Sequence, residues 1–274
     1  VGLKTLDPLG REDLNMQADA VLRILASNYK QSFIFQSSMN LILLFKDDFV
    51  EGVDSVRLTG RRLNYVLNIH RASVGDELCV GLAGDRVGMG RITFLDESAL
   101  EMEVRLERMP PLALPVTLIL ALPRPKVLRR VLRAVSALGV KRIILLNCFR
   151  VEKSFWQSPF LCPEAIQEQL VLGLEQAKDT TLPDVLLRPL FKPFVEDELP
   201  GLMEGTLPLV AHPAAAQACP RNVNQPVTLI IGPEGGFIPY EIEKLIDRRF
   251  TAVQMGERIL SVETAVPALL SRLY

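Results

Sequence analysis

The 274-residue sequence holds four cysteines, two histidines and one tryptophan, and almost no net charge, with 31 Lys and Arg against 32 Asp and Glu. Each scarcity excludes something. The cysteines, at positions 79, 148, 162 and 219, form no C-x-x-C pair, which argues against a disulfide scaffold or a zinc site and fits reduced thiols in a cytoplasmic protein. With only His70 and His212, one chain cannot build a histidine-rich cluster, and no metal is expected. The longest apolar runs, such as residues 116–122, fall far short of the roughly 18 to 20 residues a membrane helix needs, so no membrane association is expected. The start lacks the basic, apolar and small-residue regions of a signal peptide. No G-x-G-x-x-G, G-x-x-x-x-G-K-[ST] or G-x-S-x-G is present, which weakens dehydrogenase, P-loop ATPase and α/β-hydrolase readings. Taken alone, the neutral balance also argues against a nucleic-acid partner.

What is present is the composition of a folded protein, 49% hydrophobic and 23% charged. At about 150 residues per domain, the length favours two domains. Residues 1–38 contain one amphipathic candidate helix over 13–28 and no recognisable chemistry, whereas Met39 opens a strand-like run. We expect 1–38 to be an extension, poorly ordered or not native, and the functional chain to begin near Met39. Residues 39–109 show short strands at 39–45, 76–81, 86–95 and 99–106 with a helix at 60–71, the pattern of a small β-barrel. Met109-Pro-Pro111 then interrupts both helix and sheet, marking a linker.

Residues 113–274 alternate strands (116–121, 142–146, 185–187, 206–210, 227–231, 251–255) with helices (125–138, 163–177, 240–249 and one from 263). The alternation predicts an α/β fold, a parallel sheet with helices on both faces. Ligands in such sheets bind in loops at the carboxyl ends of strands.

Two of those loops stand out. The apolar strand 227–231 runs into Gly232-Pro-Glu-Gly-Gly-Phe237, where glycines permit positive φ and close backbone approach to a ligand, and Pro239 suits a helix start. A tight turn alone would explain the glycines but not Glu234. The second is Met255-Gly-Glu-Arg-Ile-Leu-Ser-Val-Glu-Thr-Ala265, in which Ser261 is placed to cap the last helix and Glu263 suits its first turn. Capping does not account for Arg258.

The two motifs in this order resemble the C-terminal signatures of the ribosomal small-subunit methyltransferase E family, within the SPOUT or α/β-knot methyltransferases. The resemblance spans about residues 39–274; Glu175-Gln-Ala-Lys178 keeps most of a further family segment, and Arg71 ahead of Val74-Gly-Asp76 matches another. It implies a PUA-like RNA-binding barrel over 39–109 and a trefoil-knotted domain over 113–274. It further implies a homodimer that uses S-adenosylmethionine to methylate N3 of a uridine in small-subunit rRNA, free or in the assembled ribosomal subunit. Carried over by position, the cofactor residues are Leu209, Val210, Ala211 and His212, then Ile231, Gly232, Glu234, Gly235 and Gly236, then Met255, Gly256, Arg258, Ile259, Leu260 and Thr264. Arg258 and Glu263 are the catalytic candidates. The N3 proton needs an acceptor, for which Glu234, Glu263, Glu175 and solvent all remain open. Arg258 could stabilise charge on the uracil oxygens or pair with Glu234. A SPOUT enzyme acting on tRNA or a ribose hydroxyl, and a catalytically silent RNA-binding module, are the alternatives.

Charge segregation reverses the first impression from net charge. Between 124 and 153 stand Arg124, Lys126, Arg129, Arg130, Arg133, Lys141, Arg142, Arg150 and Lys153 against Glu152 alone, while residues 154–204 carry nine acids against Lys178, Arg188 and Lys192. A one-sign block can neutralise phosphates, whereas solvated helix faces usually mix signs. The expected RNA-binding set is Arg124, Lys126, Arg129, Arg130, Arg133, Arg150 and Lys153, with Arg57, Arg61, Arg62 and Arg71 on the barrel.

Overall fold

The computed structural model describes residues 40–50 and 54–274, so the expectation for residues 1–38 lies outside the described residues. The first part comprises β1 (Ile42–Leu44), β2 (Ser55–Leu58), helix α1 (Gly60–Tyr65), β3 (Glu77–Leu82), β4 (Val87–Leu95) and β5 (Leu100–Arg108). The five strands form one sheet in the order β1-β3-β4-β5-β2, with β1 parallel to β3 and the other pairs antiparallel. Its ladder does not pair β1 with β2, so the described hydrogen bonds do not close a barrel. Strand β5 shows why these residues make a sheet: Leu100, Met102 and Val104 are buried while Glu103 and Arg105 face solvent, a period of two. Leu63 and Val66 close that core from the helical side. A Cβ at Gly88 would lie 1.7 Å from the Arg105 carbonyl oxygen, where the β4–β5 register shifts, so only glycine fits. The helix expected over 60–71 is α1 followed by a widened turn, Val66–His70, which ends at Arg71 with φ 51.

Residues 109–113 carry no regular structure. Beyond them come β6 (Leu114–Ala121), α2 (Pro125–Ala137), β7 (Val140–Leu146), α3 (Pro163–Ala177), β8 (Asp184–Arg188) and β9 (Leu207–Ala211). The chain ends with β10 (Gln217–Ala218), β11 (Val227–Ile231), α4 (Pro239–Asp247), β12 (Thr251–Gln254) and α5 (Val262–Leu273). The seven strands form one wholly parallel sheet ordered β10-β12-β9-β11-β6-β7-β8. All five residues of β11 are buried, as a central parallel strand covered on both faces requires. Helix α2 buries Leu128, Val131, Leu132 and Val135 and turns Arg129, Arg130 and Arg133 to solvent. It ends where Gly139 takes φ 84. Helix α3 packs closely enough on α2 that a Cβ on Gly173 would lie 2.4 Å from the Arg133 carbonyl oxygen.

The end of α3 meets the first sheet. The Glu175 side chain, 10% exposed, receives both terminal nitrogens of Arg61 at 2.9 and 3.0 Å, and its backbone carbonyl accepts the Leu41 N–H at 2.8 Å. Hydrogen bonding to Glu175 raises the Arg61 pKa further above its already high value. Just beyond, the Gly84 N–H donates to the Thr180 carbonyl at 2.8 Å, and Lys141 pairs with the buried Asp179 carboxylate at 2.6 Å.

Candidate functional site

Strands β12, β9 and β11 are neighbours and run parallel, so the loops leaving their carboxyl ends emerge side by side. Together they line a cavity of about 510 Å³, within the usual range for a small-molecule site. Ala211, His212 and Pro213 come from the β9 loop, residues 232–237 from the β11 loop, and Met255, Gly256 and residues 258–261 from the β12 loop. Ile231, Val253, Val262, Ala265 and Leu269 supply apolar wall.

The local sequence explains each turn. In the β11 loop, the Gly236 N–H donates to the Pro233 carbonyl at 2.8 Å and Gly236 takes φ 71. A Cβ on Gly232 would meet the Phe237 ring at 2.9 Å. In the β12 loop, Gly256 takes φ 111 and its N–H donates to the Gln254 side chain. Both positive-φ sites are where an L side chain is strained.

Two partners distant in sequence brace the β11 loop. Glu234 accepts the Arg124 N–H at 3.0 Å, and the Arg150 guanidinium donates to the Gly235 carbonyl. A Cβ on Gly235 would point at the Arg150 side chain, 3.1 Å from its Cδ. Below them the buried Glu241 carboxylate accepts the N–H of Ile238 at 3.0 Å and that of Phe149 at 2.7 Å, tying the start of α4 to the loop after β7.

The cavity gathers Ala211, His212, Ile231, Gly232, Glu234, Gly235, Gly236, Met255, Gly256, Arg258, Ile259 and Leu260 from the expected cofactor set. Leu209 and Val210 are buried in β9 behind the wall, and Thr264 lies outside the lining with its hydroxyl 3.0 Å from that of Ser261. Ser261 does not cap α5 through its side chain; its carbonyl accepts the N–H groups of Thr264 and Ala265.

Three sequence expectations change. Glu263 does not line the cavity; Arg130 holds its carboxylate at 3.0 Å. Glu175 belongs to the junction with the first sheet, which leaves Glu234 as the cavity's carboxylate among the three candidates. Arg57, Arg61 and Arg62 are spoken for by Glu101, Glu175 and Asp48 at 2.9, 2.9 and 2.5 Å, so of the four arginines in the first part expected to face RNA only Arg71 is left without a salt bridge among the described residues. Arg258 is exposed at the rim and makes no salt bridge with Glu234 among the described residues.

Along the basic block, Arg124, Lys126, Arg129, Arg130, Arg133, Arg150 and Lys153 are all exposed. Arg129 lies over the Phe160 ring at 4.9 Å and Arg133 donates to Gln169 at 2.9 Å. His212 is a cavity residue for which sequence reasoning assigned no side-chain role. Its Nδ1 accepts the Ala214 N–H at 3.2 Å, so the neutral ring carries its proton on Nε2 and presents a donor.

A cavity with apolar walls, exposed loop backbone and a carboxylate suits a ligand that combines a flat heterocycle with polar and cationic groups, as S-adenosylmethionine does. Among the described residues no group of His, Cys, Asp and Glu side chains could hold a metal ion.

Residues 110–274 match the family model described as the RNA methyltransferase domain. A ribosomal RNA small subunit methyltransferase E from Treponema pallidum (strain Nichols) is 29% identical over 235 residues, covering 84% of this chain and 88% of that protein. One of the same name from Synechocystis sp. (strain ATCC 27184 / PCC 6803 / Kazusa) is 27% identical over 234 residues, covering 80% of this chain and 72% of its own length. Among solved structures, a ribosomal RNA small subunit methyltransferase E from Neisseria gonorrhoeae bound to S-adenosyl methionine superposes with a TM-score of 0.65 at 21% identity, covering 85% of this chain and 95% of that one.

Proposed function

This chain belongs to the RNA methyltransferase domain family, and from that membership we propose that it transfers a methyl group from S-adenosylmethionine to N3 of a uridine in small-subunit rRNA. The observation that carries this is the convergence of three strand-end loops, two with positive-φ glycines, on one cavity whose polar rim holds Glu234 and Arg258. The Treponema and Synechocystis relatives, each matched over most of this chain, are both named for methylation of small-subunit rRNA.

When bound, S-adenosylmethionine supplies an electrophilic methyl group on a sulfonium. The chain's own residues do the rest. Backbone groups of residues 232–236 and of Met255 and Gly256 hold the donor, and Ile231, Val253 and Leu269 take up its apolar surface and exclude water. The Glu234 carboxylate, with Oε1 held by the Arg124 N–H, would accept the N3 proton through Oε2 when the bound donor supplies its methyl group. Arg258, exposed at the rim, offsets negative charge on the uracil oxygens. N3 lies on the pairing edge, so the target base enters unpaired or flipped out.

Within this proposal the first sheet serves as the PUA-like RNA-binding part, the chain path through residues 113–274 forms the trefoil knot, and two copies act as a homodimer in the cytoplasm. Incubating the protein with labelled S-adenosylmethionine and either small ribosomal subunits lacking the modification, free small-subunit rRNA or tRNA tests it. Label is expected in rRNA, in one or both of its forms; label in tRNA alone, or none despite cofactor binding, would contradict it.

A further inference from the structure

Phe149 is 76% exposed, although an aromatic side chain of this size is ordinarily turned inward. Its backbone is nevertheless pinned. The N–H donates to the buried Glu241 carboxylate at 2.7 Å. Two residues earlier, Asn147 accepts the Trp156 indole N–H at 2.8 Å, and the Val151 N–H closes the turn onto the Cys148 carbonyl at 3.0 Å. The adjacent Arg150 reaches across to the Gly235 carbonyl, so Phe149 stands beside the loop that lines the cavity. Lys153, four residues on, is exposed, as is Arg150 itself, and the Arg124 backbone holds Glu234 in the neighbouring cavity loop. An exposed ring on a fixed backbone among cations suits an unpaired base with its phosphates.

We propose that Phe149 is a stacking platform for a nucleobase of the RNA substrate, with Arg150 placing the platform against the cofactor loop. The inference rests on the methyltransferase reading for the identity of the substrate, but its chemistry needs only a single-stranded polyanion with flat bases. A protein partner with an acidic apolar segment, or a second copy of this chain, would meet the same ring differently. The flanking positive charge, with Glu152 the nearest acid in sequence, disfavours a second basic block there.

The test uses the full chain and a short oligouridylate carrying one 2-aminopurine, whose fluorescence falls on stacking. With Phe149→Ala, affinity for the oligonucleotide is expected to drop about tenfold and the quenching of the saturated complex to disappear. Phe149→Trp should restore both. Leu112→Ala, at a linker side chain that is 96% exposed, is the control and should match wild type. Calorimetry with S-adenosylmethionine should give the same affinity for Phe149→Ala as for wild type, which shows that the variant is folded. Unchanged quenching in Phe149→Ala, failure of Phe149→Trp to restore it, or dissociation of an oligomer by Phe149→Ala would each overturn the platform. A wild-type protein that quenches the oligonucleotide yet methylates no RNA would overturn the methyltransferase reading and leave the platform standing.

Discussion

Gly256 takes φ 111 at the mouth of the cavity, a conformation in which a side chain is strained by about 1–3 kcal/mol. Gly256→Val should therefore weaken S-adenosylmethionine binding at least tenfold in calorimetry while the circular dichroism spectrum is kept. Gly235 lines the same cavity but behaves differently. From sequence, a side chain there is expected to block backbone approach to the cofactor. Its Cβ direction instead meets Arg150, so Gly235→Ala should leave cofactor affinity within about threefold and displace the Arg150 brace. For the proton, Glu234→Gln should lower kcat by about a hundredfold or more at saturating cofactor, which single-turnover methylation reads directly. His70, in the turn after α1, packs edge-on to Tyr65 at 4.9 Å, and burial lowers its pKa below the ordinary 6.5. Its unfolded form then binds more protons as pH falls below that value, so the neutral folded form gives stability above pH 6.5 that is lost on acidification. The fall in Tm between neutral and mildly acidic buffer should be smaller in His70→Gln than in wild type.

Elements of the parallel sheet were legible because their signal is local. Strand β11 and helix α3 fall on the expected residues, and α2 is read from Leu128, Val131, Leu132 and Val135 at helical spacing. Strands β2 and β10 are short, and what makes them strands is pairing with β5 and β12, which no local pattern displays. The helical stretches between Phe191 and Leu202 likewise follow packing rather than period. At the site, the glycine loops were legible because glycine marks unusual backbone. Their braces were not, since Arg150 lies 85 residues from Gly235 and Arg124 lies 110 from Glu234. The same limit misplaced Arg61, which by charge belongs with RNA but in the fold neutralises Glu175, 114 residues away. Arg61→Ala leaves a nearly buried carboxylate short of its main partner. With Arg61 half exposed, the cost is about 1–3 kcal/mol and a Tm drop of several degrees, with a smaller loss of RNA affinity than substitutions in α2 produce.

Across the whole molecule, near-zero net charge hides a division of labour. The basic side chains gather on α2, which starts from the carboxyl end of β6, and on the loop that leaves the carboxyl end of β7, while residues 154–204 carry the compensating acids. Lys126→Glu combined with Arg129→Glu should weaken RNA binding and reduce the slope of log affinity against log salt, with cofactor binding untouched. The central claim, methylation of uridine N3 in small-subunit rRNA, meets its most direct test in nucleoside mass spectrometry of that rRNA. The RNA would come from a strain lacking the endogenous modification, with and without this chain supplied. Appearance of 3-methyluridine with the wild-type chain and its absence with Glu234→Gln is the predicted result; a ribose-methylated nucleoside, or no new nucleoside at all, would contradict it.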